Sequence, residues 1–545
     1  MSLFKHYLLI VAISFLPLVS IFLTPDLPHT HDGLVHLARM AAYDKALRGG
    51  QILPRWVSDL NYGYGMPLFN FIYHTPYLLS ALFISVGFSL VNSFKIVLLL
   101  SFLLSGITMF AFAHELFDDS QKALVVTLFY QFAPFRLVEV LVRGSFGEMY
   151  TYAFLPLVLF GLTKISKKPT ISYIVITAIA TALLIISHNS ISLVFFGISS
   201  LFILFFFKKE RIPYGVIALA LGLSLASFYW LPAMLEHGYT LGDLYMRDRF
   251  KEHFPPIVNF FIPNFFNAKN IQTGGISVQF GLFHMIALLT SIHIFMSNKK
   301  TDSIIKKSLL FSLVLIIISL FFMQPISKIF WENIPMLRQF QFPWRFLSVT
   351  SLATALLSVS FFSYPIFNKN NWVFLIIILG MIFSTAYYWY PPLGFDKIKD
   401  EKQFWNYPLT TTYFGETDVV WSAGPAKEYA KQQIEIIDGQ ANFSSIIKQS
   451  TIHTTVVESK NGARLVDNTQ YFPGWKVYVN NTKVPVEFQD QNWRGLVTFA
   501  IPKGQSNIRV IFKKSIIQRI GEYISLGTIL LLTCMTVMHI RKKNS

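Results

Sequence analysis

The segment Pro25-Asp26-Leu27-Pro28-His29-Thr30-His31-Asp32-Gly33-Leu34-Val35-His36 places two carboxylates and three imidazoles within twelve residues. A helix starting near Asp32 puts Asp32 and His36 four apart on one face. On such a face a carboxylate serves as a general base or metal ligand, and the imidazole orients the same acceptor. Asp32 is equally suited to cap that helix, where a carboxylate satisfies free backbone N–H groups. Spacing alone leaves both roles open. His29, His31 and His36, with Asp32, are also candidate ligands for a divalent metal such as zinc, since three protein ligands and a water make a common catalytic site. No other ligand set in the chain supports that assignment, and the sequence requires no cofactor.

Further along, Glu139, Arg143 and Glu148 surround Gly144 and Gly147. A glycine-bearing turn with charges of both signs suits a phosphate and sugar contact, and it also suits a self-satisfied ion pair. His188 stands beside Asn189 at the end of an apolar run. Arg247-Asp248-Arg249-Lys251 and the stretch Arg338 to Phe346, with Arg345, complete the polar inventory. A guanidinium binds phosphate through two parallel hydrogen bonds, so Arg345 at a span mouth suits a lipid-linked phosphate. Trp344 beside it reads as an interfacial anchor.

The elements that must position these groups are membrane spans. Of 545 residues 53% are hydrophobic and 14% charged, with mean hydropathy +0.48, more apolar surface than one soluble core hides. The net charge of +17 sits mostly in short clusters between apolar runs, which points to topology and not to nucleic acid. The single cysteine, Cys534, lies in the last apolar run, so no intrachain disulfide is available. No small-residue cleavage pattern follows the apolar run from about Tyr7 to Leu23, so it reads as a retained first span.

Lys164, Lys167 and Lys168, then Lys208, Lys209 and Arg211, then Lys299, Lys300, Lys306 and Lys307, and finally Arg541, Lys542 and Lys543 mark cytoplasmic ends. Spans at about 149–163, 171–187, 190–207, 213–233, 276–296, 307–323, 345–365, 372–390 and 521–540 then alternate without conflict. Lys5 puts loop 24–75 outside, as is 139–148, so only an even number of crossings separates them. Of the apolar runs 76–92, 94–113 and 122–138, the first carries Pro76 and Gly87 and reads as an interfacial helix. The expected chain is an α-helical polytopic membrane protein of about twelve transmembrane helices, both termini inside. Residues 1–390 form the membrane domain, with first outer loop 24–75. Residues 391–519 alternate as in Lys476-Val477-Tyr478-Val479 and read as an extracytoplasmic β-sandwich-like domain, with Trp475 in its core and Trp493 either core or sugar-stacking. Residues 520–545 are the last span and a basic tail.

Asp32, His36, Gly50, Pro54-Arg55-Trp56 and Gly63-Tyr64-Gly65-Met66-Pro67 resemble the first outer loop of GT-C glycosyltransferases, especially the YfhO-like and 6-pyruvoyl-tetrahydropterin synthase-related membrane families. Tyr471-Phe472-Pro473-Gly474-Trp475 resembles the C-terminal domain of the same group. Arg143-Gly144 with Glu148, Phe342-Pro343-Trp344-Arg345-Phe346 and Gly521-Glu522-Tyr523 extend the match over nearly the whole chain. The resemblance implies an interfacial helix after the first loop and inverting transfer of a sugar from a polyprenyl-phosphate-linked donor to a glycan, lipid or protein acceptor. It implies Asp32 and Glu148 as acidic catalytic residues. With these go His36 beside Asp32, and Arg143, His188, Arg247, Arg249, Arg338 and Arg345 as donor-phosphate or substrate contacts. A membrane lipid environment is implied, and pterin chemistry is not. The rival readings are a transporter or flippase for a lipid-linked glycan, against which charges are scarce at span centres, and a non-catalytic envelope-assembly protein, which an activity assay separates.

The orientation is testable by labelling. A single cysteine near Gly474, in a variant lacking Cys534, is expected to react with an impermeant reagent in intact cells; reaction only after permeabilisation would reverse the topology.

Overall fold

The computed structural model describes residues 2–263, 276–297, 301–369, 371–412 and 415–544. Lys299 and Lys300, used above for orientation, lie outside them. Among the described residues seven helices are long and apolar enough to cross a membrane, and up to nine if each of two bent pairs is one span. Three further predicted spans are apolar helices of 10–17 residues, Ile171–Ile185, Leu282–Met296 and Trp372–Tyr388, short of the roughly 20 residues of a straight crossing. Hydropathy sees the length of an apolar run, but the helix inside it ends earlier; after Ile185 the chain turns through Ser187 to the Asn189–Phe206 helix. Thr75–Ser85 is an 11-residue helix, about 16 Å long. It packs on the Gly33–Arg48 and Leu90–Phe117 helices and is too short to span, as the parity argument requires.

The first bent pair, Ser120–Gln131 and Pro134–Arg143, turns by 53°. Pro134 starts the second half; it has no N–H to continue the ladder, and the residue before it is pushed out of helical geometry. The chain then winds into a π-helical turn, Val138–Arg143, and stops at Gly144 with φ of 65°. A side chain at Gly144 would start 2.2 Å from Thr30 Oγ1. Glycine is required there by both backbone conformation and space.

The β-rich domain follows the predicted change of composition at 391. Strands β1 (Leu27–Pro28) and β2 (Phe395–Asp396) pair antiparallel and join the first loop to the start of that segment. The remaining strands are β3 (Ile434–Phe443), β4 (Ile447–Lys448), β5 (Ile452–Gln470), β6 (Trp475–Val479), β7 (Thr482–Val484), β8 (Leu496–Ile501) and β9 (Gly504–Phe512). They form one seven-stranded antiparallel sheet, ordered β3-β5-β9-β6-β7, with β4 and β8 also paired to β5. Where the sequence led to the expectation of a β-sandwich-like domain, the structure has an antiparallel sheet domain in which the 19-residue β5 meets β9 along Ile452–Ser459 and β8 along Ala463–Gln470. The Ile516–Asn544 helix leaves directly after β9.

Besides the β1–β2 pair, several contacts hold this domain to the membrane domain. Trp475, 3% exposed, meets Trp56 of the first loop edge-on at 5.2 Å, and Gly65 leaves room for the Trp56 ring, which a Cβ would meet at 2.6 Å. Below this pair lies a buried polar network. Arg55 donates to Asn70 Oδ1 (3.0 Å) and to the Phe228 carbonyl (2.8 Å), Asn70 donates to Glu236 (2.7 Å), and Gln518 donates to both Asn70 and Glu236 at 3.1 Å. Elsewhere Glu401 accepts from the Leu90 and Val91 N–H groups at 2.8 and 3.1 Å, a cap for the Leu90–Phe117 helix supplied from the far side of the sequence.

Trp475→Ala is expected to destabilise the domain by about 3–5 kcal/mol. A double-mutant cycle with Trp56 should return a coupling of roughly 1 kcal/mol. Zero coupling, measured by chemical denaturation in detergent, would mean that the two rings do not hold the domain to the loop.

Candidate functional site

Five chain segments meet around one carboxylate. Glu148 lies in the first turn of the Phe146–Lys167 helix, where a helix N-terminus favours negative charge, and its side chain is fully buried. Arg143 Nη1 contacts Glu148 Oε1 at 2.9 Å and donates to Glu139 at 2.6 and 2.8 Å. Arg345 Nε reaches the same Glu148 oxygen at 3.0 Å, while its Nη1 donates to the Phe340 carbonyl at 2.7 Å. His188 caps the Asn189–Phe206 helix by accepting from the Ile191 N–H through Nδ1 at 3.3 Å. That bond leaves Nε2 as the protonated nitrogen, 3.7 Å from Glu148.

Local structure dictates these positions. Glu139 and Arg143, four apart in sequence, both lie in the π-helical turn, the left-handed Gly144 reverses the chain, and Glu148 arrives within reach of the same guanidinium. π-Turns recur at functional sites because they redirect side chains that a regular helix would carry past. The Arg143 guanidinium lies 4.7 Å from the Trp344 ring centroid, a desolvated cation–π contact. Trp344 is 2% exposed. The interfacial-anchor reading of this ring is therefore corrected: it faces the protein interior and the buried cation.

Asp32 joins the cluster through the backbone. The His31 and Asp32 N–H groups donate to the Val142 and Arg143 carbonyls, both at 3.0 Å. The half-buried Asp32 carboxylate acts electrostatically on both Arg143 and Arg345. Asp32 does occupy the N-cap position of the Gly33–Arg48 helix, yet its side chain makes no capping hydrogen bond. Partial desolvation, then the Arg143 charge, holds the neighbouring His31 imidazole below its ordinary range.

The other sequence candidates fall elsewhere. His36 is buried, its Nδ1 bonded to Tyr77 Oη at 2.8 Å and its ring stacked on Phe146 at 4.6 Å. Burial, followed by the Arg39 charge, keeps it well below its usual range, and its contacts with Tyr77 and Phe146 turn it into the bundle. His29 pairs with Asp396 at 2.7 Å beside the β1–β2 pair. The metal-ligand reading of His29, His31, His36 and Asp32 is thereby corrected: among the described residues no group of three or more His, Cys, Asp or Glu is arranged to hold an ion. Arg338 donates to the Trp331 carbonyl at 3.4 Å and to that of Glu332. Arg247 is exposed and, with Arg338, flanks Asp248; Arg249 follows in the short Arg249–Glu252 helix. These three lie apart from the Glu148 cluster, near the Asp248–Lys251 pair. Tyr73, stacked on His188 at 5.3 Å, was not singled out in the sequence. Its nearness to Tyr77 in an aromatic run was the only signal available.

Residues 71–391 match the family of membrane proteins described as 6-pyruvoyl-tetrahydropterin synthase related domain. The chain belongs to that family and is an integral membrane protein. Among solved structures it is similar to the apo oligosaccharyltransferase of Archaeoglobus fulgidus, with TM-score 0.48 and 14% identity over 75% of this chain and 60% of that one. It is also similar to a variant of the arabinofuranosyltransferase AftD from Mycobacteria, with TM-score 0.44 and 16% identity over 70% of this chain and 27% of that one. This chain thus spans less than two thirds of either enzyme. No curated protein sequence matches it.

Removing the shared carboxylate should expose the cost of the cluster. Glu148→Gln leaves two buried guanidinium groups short of charge and is expected to lower stability by about 3–5 kcal/mol. Adding Arg345→Met should restore part of that loss. A Glu148→Gln protein that melts with the parent in detergent would remove Glu148 as the centre of the cluster.

Proposed function

We propose that this protein is an inverting membrane glycosyltransferase of the GT-C kind. It transfers a sugar from a polyprenyl-phosphate-linked donor to an extracytoplasmic glycan, lipid or protein acceptor. The observation that carries the reading is the convergence at one place of Asp32, the local pair Arg143 and Glu148, His188 and Arg345, four stretches of chain far apart in sequence. Acids and guanidinium groups together are what a displacement at a sugar phosphate needs.

In this reading the acceptor oxygen bonds to the anomeric carbon as the bond from that carbon to the phosphate oxygen breaks. Asp32 takes the hydroxyl proton, and the lipid phosphate leaves with the electron pair. Asp32 suits the base because its half-buried carboxylate lies within electrostatic reach of both guanidinium groups that would hold the donor phosphate. Arg143 spends only Nη1 on the two glutamates, and Arg345 meets Glu148 through Nε. Arg345 Nη1 is taken by the Phe340 carbonyl, so Arg143 Nε and Nη2 and Arg345 Nη2 are the donor-phosphate contacts, and Glu148 holds both side chains in place. Arg247, Arg249 and Arg338 stand apart from this centre and serve the donor or acceptor away from the reacting atoms. His36 supports the fold of the Gly33–Arg48 helix through Tyr77. The donor set does not match a metal site, so no step is routed through one.

The test is sugar transfer from a panel of polyprenyl-phosphate sugars by purified protein in nanodiscs. Asp32→Asn keeps size and capping ability but cannot take a proton, so transfer should fall by about two orders of magnitude or more with insertion unchanged. Arg345→Lys keeps the charge without the planar fork and should mainly raise the donor KM. Undiminished transfer by a normally inserted Asp32→Asn protein would overturn the assignment of the base.

A further inference from the structure

The β-rich domain has a polar concavity of its own. A cavity of about 330 Å³ opens beside the Ser444–Ser445 turn and the strands β5, β9 and β6. The Ser444 N–H donates to the Val456 carbonyl at 2.9 Å, and Ser444 Oγ accepts from the Val456 N–H at 3.2 Å. That wall is therefore held to the sheet.

Strand register sets the floor. Ile447, Thr454, Arg509, Tyr478 and Lys483 are successive cross-strand partners from β4 to β7, and such partners project from the same face. The alternate residues Val477, Val510 and His453 are buried in the domain core, so this row is the solvent face. Two residues along, Lys476 and Asn507 stand on that same side. The Arg509 guanidinium lies 5.3 Å from the Tyr478 ring centroid and Lys513 Nζ lies 4.7 Å from it. Lys513 also donates to the Tyr478 hydroxyl at 2.8 Å. That bond, with the charges of Lys513, Lys476 and Lys483, holds the phenol below its ordinary range. The ring thus orders two cations beside the cavity. On the same face of β5, Glu458 lies four residues beyond Thr454, about 13 Å along the strand.

We propose that this cavity binds an anionic saccharide, a sugar bearing carboxylate or phosphate groups. Arg509 in the lining supplies the countercharge, with Lys476, Lys483 and Lys513 around Tyr478 beside it, and Ser444, Ser445, Thr454, Asn481 and Asn507 supply donors and acceptors for ring hydroxyls. The Tyr478 ring, with Ile447 and Ile508, offers the apolar contact that a sugar face takes. A volume at the lower end of the small-molecule range fits about one or two sugar rings. A membrane-surface patch would present a flat or protruding face, whereas this one is concave, with hydroxyl and amide side chains in its lining. The inference goes beyond the transfer reaction and stands without it.

Calorimetric titration of the full-length protein in nanodiscs of zwitterionic lipid tests it. The probes are a galacturonic acid oligosaccharide, a mannose-phosphate oligosaccharide and a neutral mannose oligosaccharide. At least one acidic probe is expected to bind about tenfold or more tightly than the neutral one, with affinity falling as salt rises. Arg509→Gln and Lys483→Gln should each weaken it by about tenfold, and Lys503→Gln, outside the row, should not. Circular dichroism of the variants confirms that the exposed substitutions leave the sheet intact. Failure of both acidic probes to bind, equal binding of the neutral probe, or insensitivity to Arg509→Gln overturns the proposal. So does binding confined to vesicles of anionic lipid, which would make the patch a headgroup surface.

Discussion

Arg143 and Arg345 are both buried, and both reach the same oxygen of Glu148. Burying a guanidinium costs several kcal/mol unless charge and hydrogen bonds compensate it, so the surroundings of this carboxylate are tightly prescribed. Arg143 must come from a turn that also carries Glu139, and that turn must end in a residue tolerating φ of 65°, which Gly144 does. Arg345 must be aimed by the Pro343–Phe346 turn, and His188 must be held by its own capping bond. The bend at Pro134, the π-turn and the short helices beside the site are the backbone's way of delivering these groups to one point. Irregular backbone of this kind is tolerated in a membrane protein where other protein segments cover it.

The helical membrane architecture was legible because apolar run length follows from the bilayer itself. The non-spanning helix after the first loop emerged from parity, and its 11 residues agree. The alternation of 476–479 announced strand β6, and the Pro-Gly turn before Trp475 placed that ring in the core. The ends of spans were less legible, since hydropathy has no term for a helix that stops and turns inside an apolar run.

The site divides in the same way. The triplet Glu139, Arg143 and Glu148 was readable as an ion pair because the spacing is local. The approach of Asp32 was not readable from spacing, because backbone bonds to Val142 and Arg143 create it across more than a hundred residues. His36 shows the limit of the four-residue rule: shared helical phase with Asp32 says nothing about which neighbour that face meets, and here it meets Tyr77 and Phe146. Trp344 fits the sequence statistics of an interfacial ring, yet a cation sits on its face.

The cap that Glu401 places on Leu90 and Val91 also has a history in time. A ribosome delivers residue 90 long before residue 401, and the strand pairing of Leu27 with Asp396 has the same delay. During synthesis the early helices must wait with bare N–H groups at one end. A chain arrested in the middle of production would carry the arginines and Glu148 without the closure that seats the first loop. The contacts that close this end of the helix and seat the first loop therefore form only after residues 396 and 401 have been made.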